Sequence, residues 1–474
     1  NKRGPFKTQD VIFRSQLECL CQSGKVLPYP KPFRKGSDEE EEEMSILYRD
    51  RFTFAVGHGC SSSWQNKGKN CESVSINFIP RVYLKGVVKD PEEMKSLKVL
   101  YLQYLASDST DPSSLLKELN KFLDIYENWI KSTLKNLNNI ELEGSLQAKK
   151  RIEEGLITVL HRMKKGAAFL CKDTEALKAF KLANLAMQMQ MVHSREDFTY
   201  SNDLDYLVNK DWENRWYPFQ LAFFLLTVES TANEDHEDRE VVEVLWFPTG
   251  GGKTEAYLLL SAFQILRKWL NKGAEKLGTT VLMRYTLQLL TADQFLRASK
   301  LICALELIRR EREDQMARSP ITIGLWAGLK VCPNSFMQAH DKYNSMINEE
   351  YPETRFQIDI CPWCATKLIP NRRSSPKKYG FISTTTSFKI RCLEKECPFH
   401  NELPVNIIDE HLYESPPTFL VSTVDKFART AWTEGPGKFL GSEGYDPPSL
   451  IIQDELHLIS GPLGTIYGVY ESAF

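Results

Sequence analysis

The sequence predicts an α/β protein whose largest domain is a parallel sheet built around a phosphate-binding loop. Three observations predict it. From about residue 212 onward, short apolar runs alternate with helical segments, the grammar of a parallel sheet covered on both faces. The stretch WFPTGGGKTEAYL (Trp246–Leu258) sets three glycines before a Lys-Thr pair, between a strand-like and a helix-like run. Ahead of it, roughly from Pro91 to residue 211, apolar residues recur at three- and four-residue spacing, which predicts a helical domain.

Taken in order, residues 1–90 mix proline-rich and charged stretches with apolar alternation. RFTFAVGHGC and SVSINFIPRVYL read as strands, so a small β-rich domain is expected. The acidic run Asp38–Glu43 reads as a solvated loop or as an acidic plug for a basic groove. GHGCSSSW holds His58 and Cys60 close together, which fits a turn better than a catalytic pair because no orienting partner is evident. In residues 91–211, SLLKELNKFLDIYENWIKSTL and ALKAFKLANLAMQMQMV read as amphipathic or buried helices, with the methionines near Met187–Met191 as core. In residues 212–474, VVEVLWF reads as the strand before the glycine loop and EAYLLLSAFQILRKWL as the helix after it. TTVLMR, ITIGLW, PTFLVST and SLIIQ read as further strands, with a helix around LLTADQFLRASKLICALELIRR.

Composition narrows the class. A hydrophobic share of 42% and a charged share of 26% are those of ordinary globular chains, and a net charge of -2 argues for no global attraction to nucleic acid or membrane. Apolar runs are too short to cross a bilayer. The 11 cysteines are an odd number, against a secreted disulfide framework and for a reducing cytoplasm. The N-terminus has no initiator Met and no apolar signal region, and reads as something other than a native start.

The loop explains itself chemically. Glycines let successive N–H groups turn toward phosphate oxygens, so Thr249, Gly250, Gly251 and Gly252 would line the cradle. Lys253 would reach the β- and γ-phosphates of ATP, and the Thr254 hydroxyl would hold Mg²⁺. Phe247 stands where the first glycine of such loops lies. The second half of the site is expected in SLIIQDELH: Asp454 at the end of a strand for the Mg²⁺, and Glu455 as the base that activates water.

A second cluster lies between the strands ITIGLW and PTFLVST. Cys361 and Cys364 of CPWC face Cys392 and Cys397 of CLEKEC, the pairing of a structural four-cysteine zinc site. His400 could replace one thiolate. NRRSSPKKYG, between the pairs, is basic and is either a solvated hairpin tip or a phosphate contact. The whole of this zinc-binding insertion, about residues 330–415, exceeds what an α/β core requires.

PTGGGKT with DELH resembles motifs I and II of superfamily 2 helicases in the DExH arrangement. The resemblance implies a first RecA-like domain at 212–474, with a Q motif at YPFQ whose Gln220 reads the adenine edge. It also implies a motif Ia at LMRYTLQLLTADQ, where Arg284 stands in place of the usual proline and Thr286 follows, and a motif Ib at VSTVDKF with Thr423. Arg284, Thr286 and Thr423 would then contact the nucleic-acid backbone. Further stretches (GHGCSSSW, KLANLAMQMQ, WYPFQLAF, QDELHLISGPLG) resemble the DrmA family of helicase subunits in DISARM antiphage systems. That family implies DNA, single-stranded or with an overhang, as track, ATP as fuel, a DrmB-like partner subunit and no membrane. The second RecA-like domain of such motors is absent from this chain, so an ATP hydrolase that works poorly alone is expected. Two other classes fit the same residues: a P-loop ATPase that remodels a protein partner, and a zinc-stabilised scaffold that merely holds ATP.

Overall fold

A computed structural model of the chain describes residues 16–29, 38–58, 60–77, 89–138, 146–196, 198–201, 204–209, 211, 213–247, 250–271, 273, 275–285, 288–329, 331–427 and 434–456. The chain divides into two compact units, one of residues 1–88 and 126–159, the other of 89–125 and 160–474.

The first unit holds an antiparallel sheet in the order β1 (Gln16–Leu20), β3 (Asn70–Asn77), β2 (Ser61–Lys67). Residues 51–58 of RFTFAVGHGC form no strand, against what their alternation predicts; the Tyr29 N–H donates to the Thr53 carbonyl at 2.5 Å, but no ladder follows from it among the described residues. The acidic run is not the loop its charge suggests. It is the start of helix α1 (Glu39–Leu47), and Asp38 Oδ1 accepts from the Glu41 N–H at 2.8 Å. Carboxylates in a first turn favour the helix through its dipole, and Arg151 gathers Glu42 and Glu43 at 3.0 and 2.7 Å. Ile46 packs there with Leu137 and Ala148.

In the second unit a five-stranded sheet runs β10 (Leu450–Gln453), β4 (Val281–Tyr285), β9 (Phe419–Thr423), β5 (Ile323–Trp326), β8 (Val405–Asn406), and every pairing is parallel. The apolar runs make it so: β9 and β5 are buried along their whole length, as strands covered on both faces must be. Helices α7 (Lys253–Trp269) and α8 (Gln288–Glu311) pack on it, and α7 also packs on α5 (Thr174–Val192) and α6 (Pro218–Ala232). Met187 and Met189 are core residues, as their spacing predicts. Among the described residues no helix is long and apolar enough to cross a membrane.

One expected strand is missing. Residues 241–247 (VVEVLWF) form no strand, and Val242, Val244 and Trp246 are 85%, 76% and 80% exposed. Their apolar character predicted burial in the sheet. Among the described residues no strand pairs with them, so the alternation is turned to solvent.

Candidate functional site

The glycine loop feeds directly into α7, whose N-terminal cap is Gly252 at φ 95°. Gly250 also has positive φ, 73°, a region that side-chain-bearing residues avoid. A Cβ on Gly252 would also stand 2.9 Å from Gln220 Nε2, so the amide would have to shift. The first N–H groups of α7 have no intrahelical acceptor and face the loop, the arrangement that binds anions. Lys253 Nζ donates to the Phe247 carbonyl at 3.0 Å, which keeps its charge at the loop. Phe247, in the place of a glycine, stacks on Phe219 of α6 with ring centroids 4.1 Å apart. Thr249 lies outside the described residues.

Gln220 is buried and holds two backbones together. Its Oε1 accepts from the Tyr217 N–H at 2.8 Å and its Nε2 donates to the Gly252 carbonyl at 2.7 Å. It therefore links the start of α6 to the glycine loop. From far away in the chain, Lys89 Nζ donates to the Gly250 carbonyl at 2.9 Å and lies 5.7 Å from the Tyr217 ring centre. Sequence spacing carries no signal for that contact.

Thr254 and Asp454 are brought together by a residue the sequence did not single out. Tyr257 Oη lies 2.8 Å from Asp454 Oδ2, 3.1 Å from Thr254 Oγ1 and 3.2 Å from Tyr285 Oη. A phenol has one proton. It goes to the carboxylate, so a neighbouring hydroxyl donates to the tyrosine oxygen. Burial and the adjacent Asp454 hold the Tyr257 phenol far above its ordinary range, and it stays neutral. One turn after Thr254 on α7, a tyrosine falls on the same helical face; that was the available signal. Asp454 is 8% exposed, and its Oδ1 accepts from the Glu455 N–H at 2.9 Å. Glu455 has φ 50°, left-handed for a residue with a side chain. The donor set of hydroxyl and carboxylate oxygens fits a hard cation such as Mg²⁺.

The three residues expected on a nucleic-acid strand are placed unevenly. The Arg284 carbonyl accepts from the Asp454 N–H at 3.2 Å, and its guanidinium lies 5.9 Å from the Phe427 ring centre. Thr423 is 5% exposed, and its Oγ1 is buried without a hydrogen-bond partner among the described residues. Thr286 lies outside the described residues.

The four cysteines converge. The Sγ atoms of Cys361, Cys364, Cys392 and Cys397 all lie within 4.8 Å of one another. Cys364 and Cys392 are 3.3 Å apart and none of the four is in a disulfide. Sulfurs bound to one zinc at ~2.3 Å sit at such separations. Hydrogen bonds among the four thiols pull Cys364 well below the ordinary thiol range and push Cys361 well above it. The set can therefore hold a metal ion such as zinc. His400 is not one of the four: its Nδ1 pairs with the Glu394 carbonyl at 3.1 Å. The CPWC turn is tied to the end of α5. The His193 ring stacks on Trp363 at 3.7 Å, its Nδ1 is 2.5 Å from the Trp363 carbonyl, and its Nε2 is 2.8 Å from Tyr206 Oη.

No family model matches the chain. Over 529 residues the chain is 31% identical to a protein of Bacillus paralicheniformis (strain ATCC 9945a / NCIMB 11709 / CD-2) named DISARM protein DrmA. The match covers 100% of this chain and 46% of that protein, so the chain spans about half the length of its relative.

Proposed function

We propose, from the premise that the chain resembles DISARM protein DrmA along its whole length, that it serves antiphage defence as the ATP-binding portion of a DNA motor. One observation carries the motor reading beyond the resemblance: a glycine loop at a helix start and a buried carboxylate, two hundred residues apart, share one tyrosine hydroxyl.

In this reading residues 212–474 form a first RecA-like domain. Gly250, Gly251 and Gly252 and the first amides of α7 hold the phosphates, and Lys253 leaves the Phe247 carbonyl for them. Thr254 and Asp454 would hold Mg²⁺, which supplies charge neutralisation at the phosphates when bound. Glu455 accepts a proton from the attacking water. Gln220, whose amide meets the Gly252 carbonyl, would couple a bound base to the loop. Arg284, Thr286 and Thr423 are proposed to lie along the DNA backbone, Thr423 after a local rearrangement that exposes its hydroxyl. The four cysteines hold a structural zinc. A DrmB-like subunit is the proposed partner and the cytoplasm the place of action.

The test is the ATPase rate of the full-length protein with single-stranded DNA, overhanging duplex and RNA. DNA should raise the rate, and Glu455→Gln should cut it by ~10²–10⁴ while ATP still binds. A rate indifferent to every nucleic acid would favour remodelling of a protein partner. Defence that survives Glu455→Gln would point to a scaffold.

A further inference from the structure

The four-cysteine module carries its charge on one side of the ledger. From residue 361 to 391 there is no aspartate or glutamate, while Lys367, Arg372, Arg373, Lys377 and Lys378 fall within twelve positions. In a chain of net charge -2 this is a local excess that the fold then concentrates. All five residues are exposed. Nearby cations are neutralised, Lys389 by Glu402 at 2.7 Å and Arg355 by Glu349, but among the described residues no carboxylate pairs with these five. Lys367, Lys377 and Lys378 line a cleft of about 400 Å³ with Asn371, Pro370 and Leu393.

The backbone beneath is fixed. Tyr379 and Phe381 are buried, the Gly380 N–H donates to the Leu368 carbonyl and the Arg391 N–H to the Gly380 carbonyl, both at 2.8 Å. The Arg373 N–H donates to the Glu350 carbonyl at 2.9 Å and its guanidinium to Asn348 Oδ1 at 3.0 Å. Beside the cleft, Tyr351 is 59% exposed, and the Arg372 guanidinium lies 5.7 Å from its ring centre. Cations on a rigid frame next to an accessible aromatic ring are what a nucleic-acid strand meets in sequence-independent binding: phosphates release counterions and bases stack. An acidic peptide would satisfy the charges and leave the ring unused.

We infer that this face of the cysteine module is a second contact for a nucleic-acid strand, made through phosphates at Arg372, Lys377 and Lys378 and a base on Tyr351. It rests on the motor reading and adds to it a grip outside the glycine-loop domain's own strands. Each cation that neutralises a phosphate contributes ~0.7 to the slope of log affinity against log salt for a single strand.

The experiment uses the full-length protein and its Arg372→Ala/Lys377→Ala/Lys378→Ala variant, with fluorescent oligo(dT) followed by anisotropy over a series of salt concentrations. Bound zinc and the melting temperature establish that the variant folds, and a Tyr351→Ala variant examines the ring. The triple variant should lose about 2 from the salt slope and about tenfold in affinity at low salt, with Tyr351→Ala weaker by several-fold at unchanged slope. Wild-type slope and affinity in the triple variant would overturn the inference and leave the motor reading standing. Equal loss on polyglutamate would overturn it in favour of an acidic partner. A wild-type protein that binds no oligonucleotide would overturn both readings together.

Discussion

The glycine-loop region and the cysteine module solve opposite problems of assembly. The cysteine site draws its four sulfurs from within 37 positions of one another, Cys361 to Cys397, on turns held by local backbone bonds such as Cys392 N–H to Phe399 O at 3.0 Å. The glycine-loop site draws Thr254 and Tyr257 from α7, Tyr285 from β4 and Asp454 from the end of β10. One can fold as a unit around its ligand; the other exists only when the sheet does. A local site is expected to fail alone, and a distributed one to fail with the domain.

The sharpest way to break that contrast is to remove one sulfur. Cys392→Ser in the full-length protein should abolish a metal affinity on the order of 10 kcal/mol. Bound zinc, read by elemental analysis, should drop from one per chain to almost none while ATP binding is retained. Simultaneous loss of ATP binding would show that the two regions are one cooperative unit.

Next in size is a pH effect that ties the module to α5. Burial pushes the His193 imidazole down to about 4, against ~6.5 in an unfolded chain. The unfolded state therefore binds the extra proton first. The stability His193 contributes is fully present above pH ~6.5 and fades as pH falls toward 4, by up to ~3 kcal/mol. Denaturant melts at pH 7 and 5 should show the drop, and His193→Phe should shrink it; an unchanged pH dependence in that variant would detach His193 from the module's stability.

The smallest effect sits in the distributed site. Tyr257→Phe keeps the ring and removes the hydroxyl between Thr254 and Asp454, a hydrogen bond worth ~1 kcal/mol. The Mg²⁺ concentration needed for half-maximal nucleotide binding should shift by about fivefold, with nucleotide affinity in EDTA unchanged. An equal shift in EDTA would make Tyr257 a packing residue only.

Much of this was legible in the chain. The parallel strands at β4, β5, β9 and β10 follow from apolar runs, and the cysteine set from its spacing. Residues 241–247 show where the reading stops: a run of apolar residues fixes what a segment prefers to touch, not whether a neighbouring strand is there to touch it. The acidic run misled in another way, because solvated charge and a dipole-favoured helix start have the same composition. Lys89 was invisible for a third reason: its contact joins segments that only the tertiary fold sets together, whereas Tyr257 left a faint signal in standing one helical turn after Thr254.

The left-handed backbone of Glu455 has a consequence for the trade between stability and function. By folding energetics alone, glycine at that position would relieve a strain of roughly 1 kcal/mol. A glutamate held at φ 50° carries that local cost, its N–H bond to Asp454 Oδ1 offsets part of it, and in the motor reading the work of its carboxylate offsets the rest.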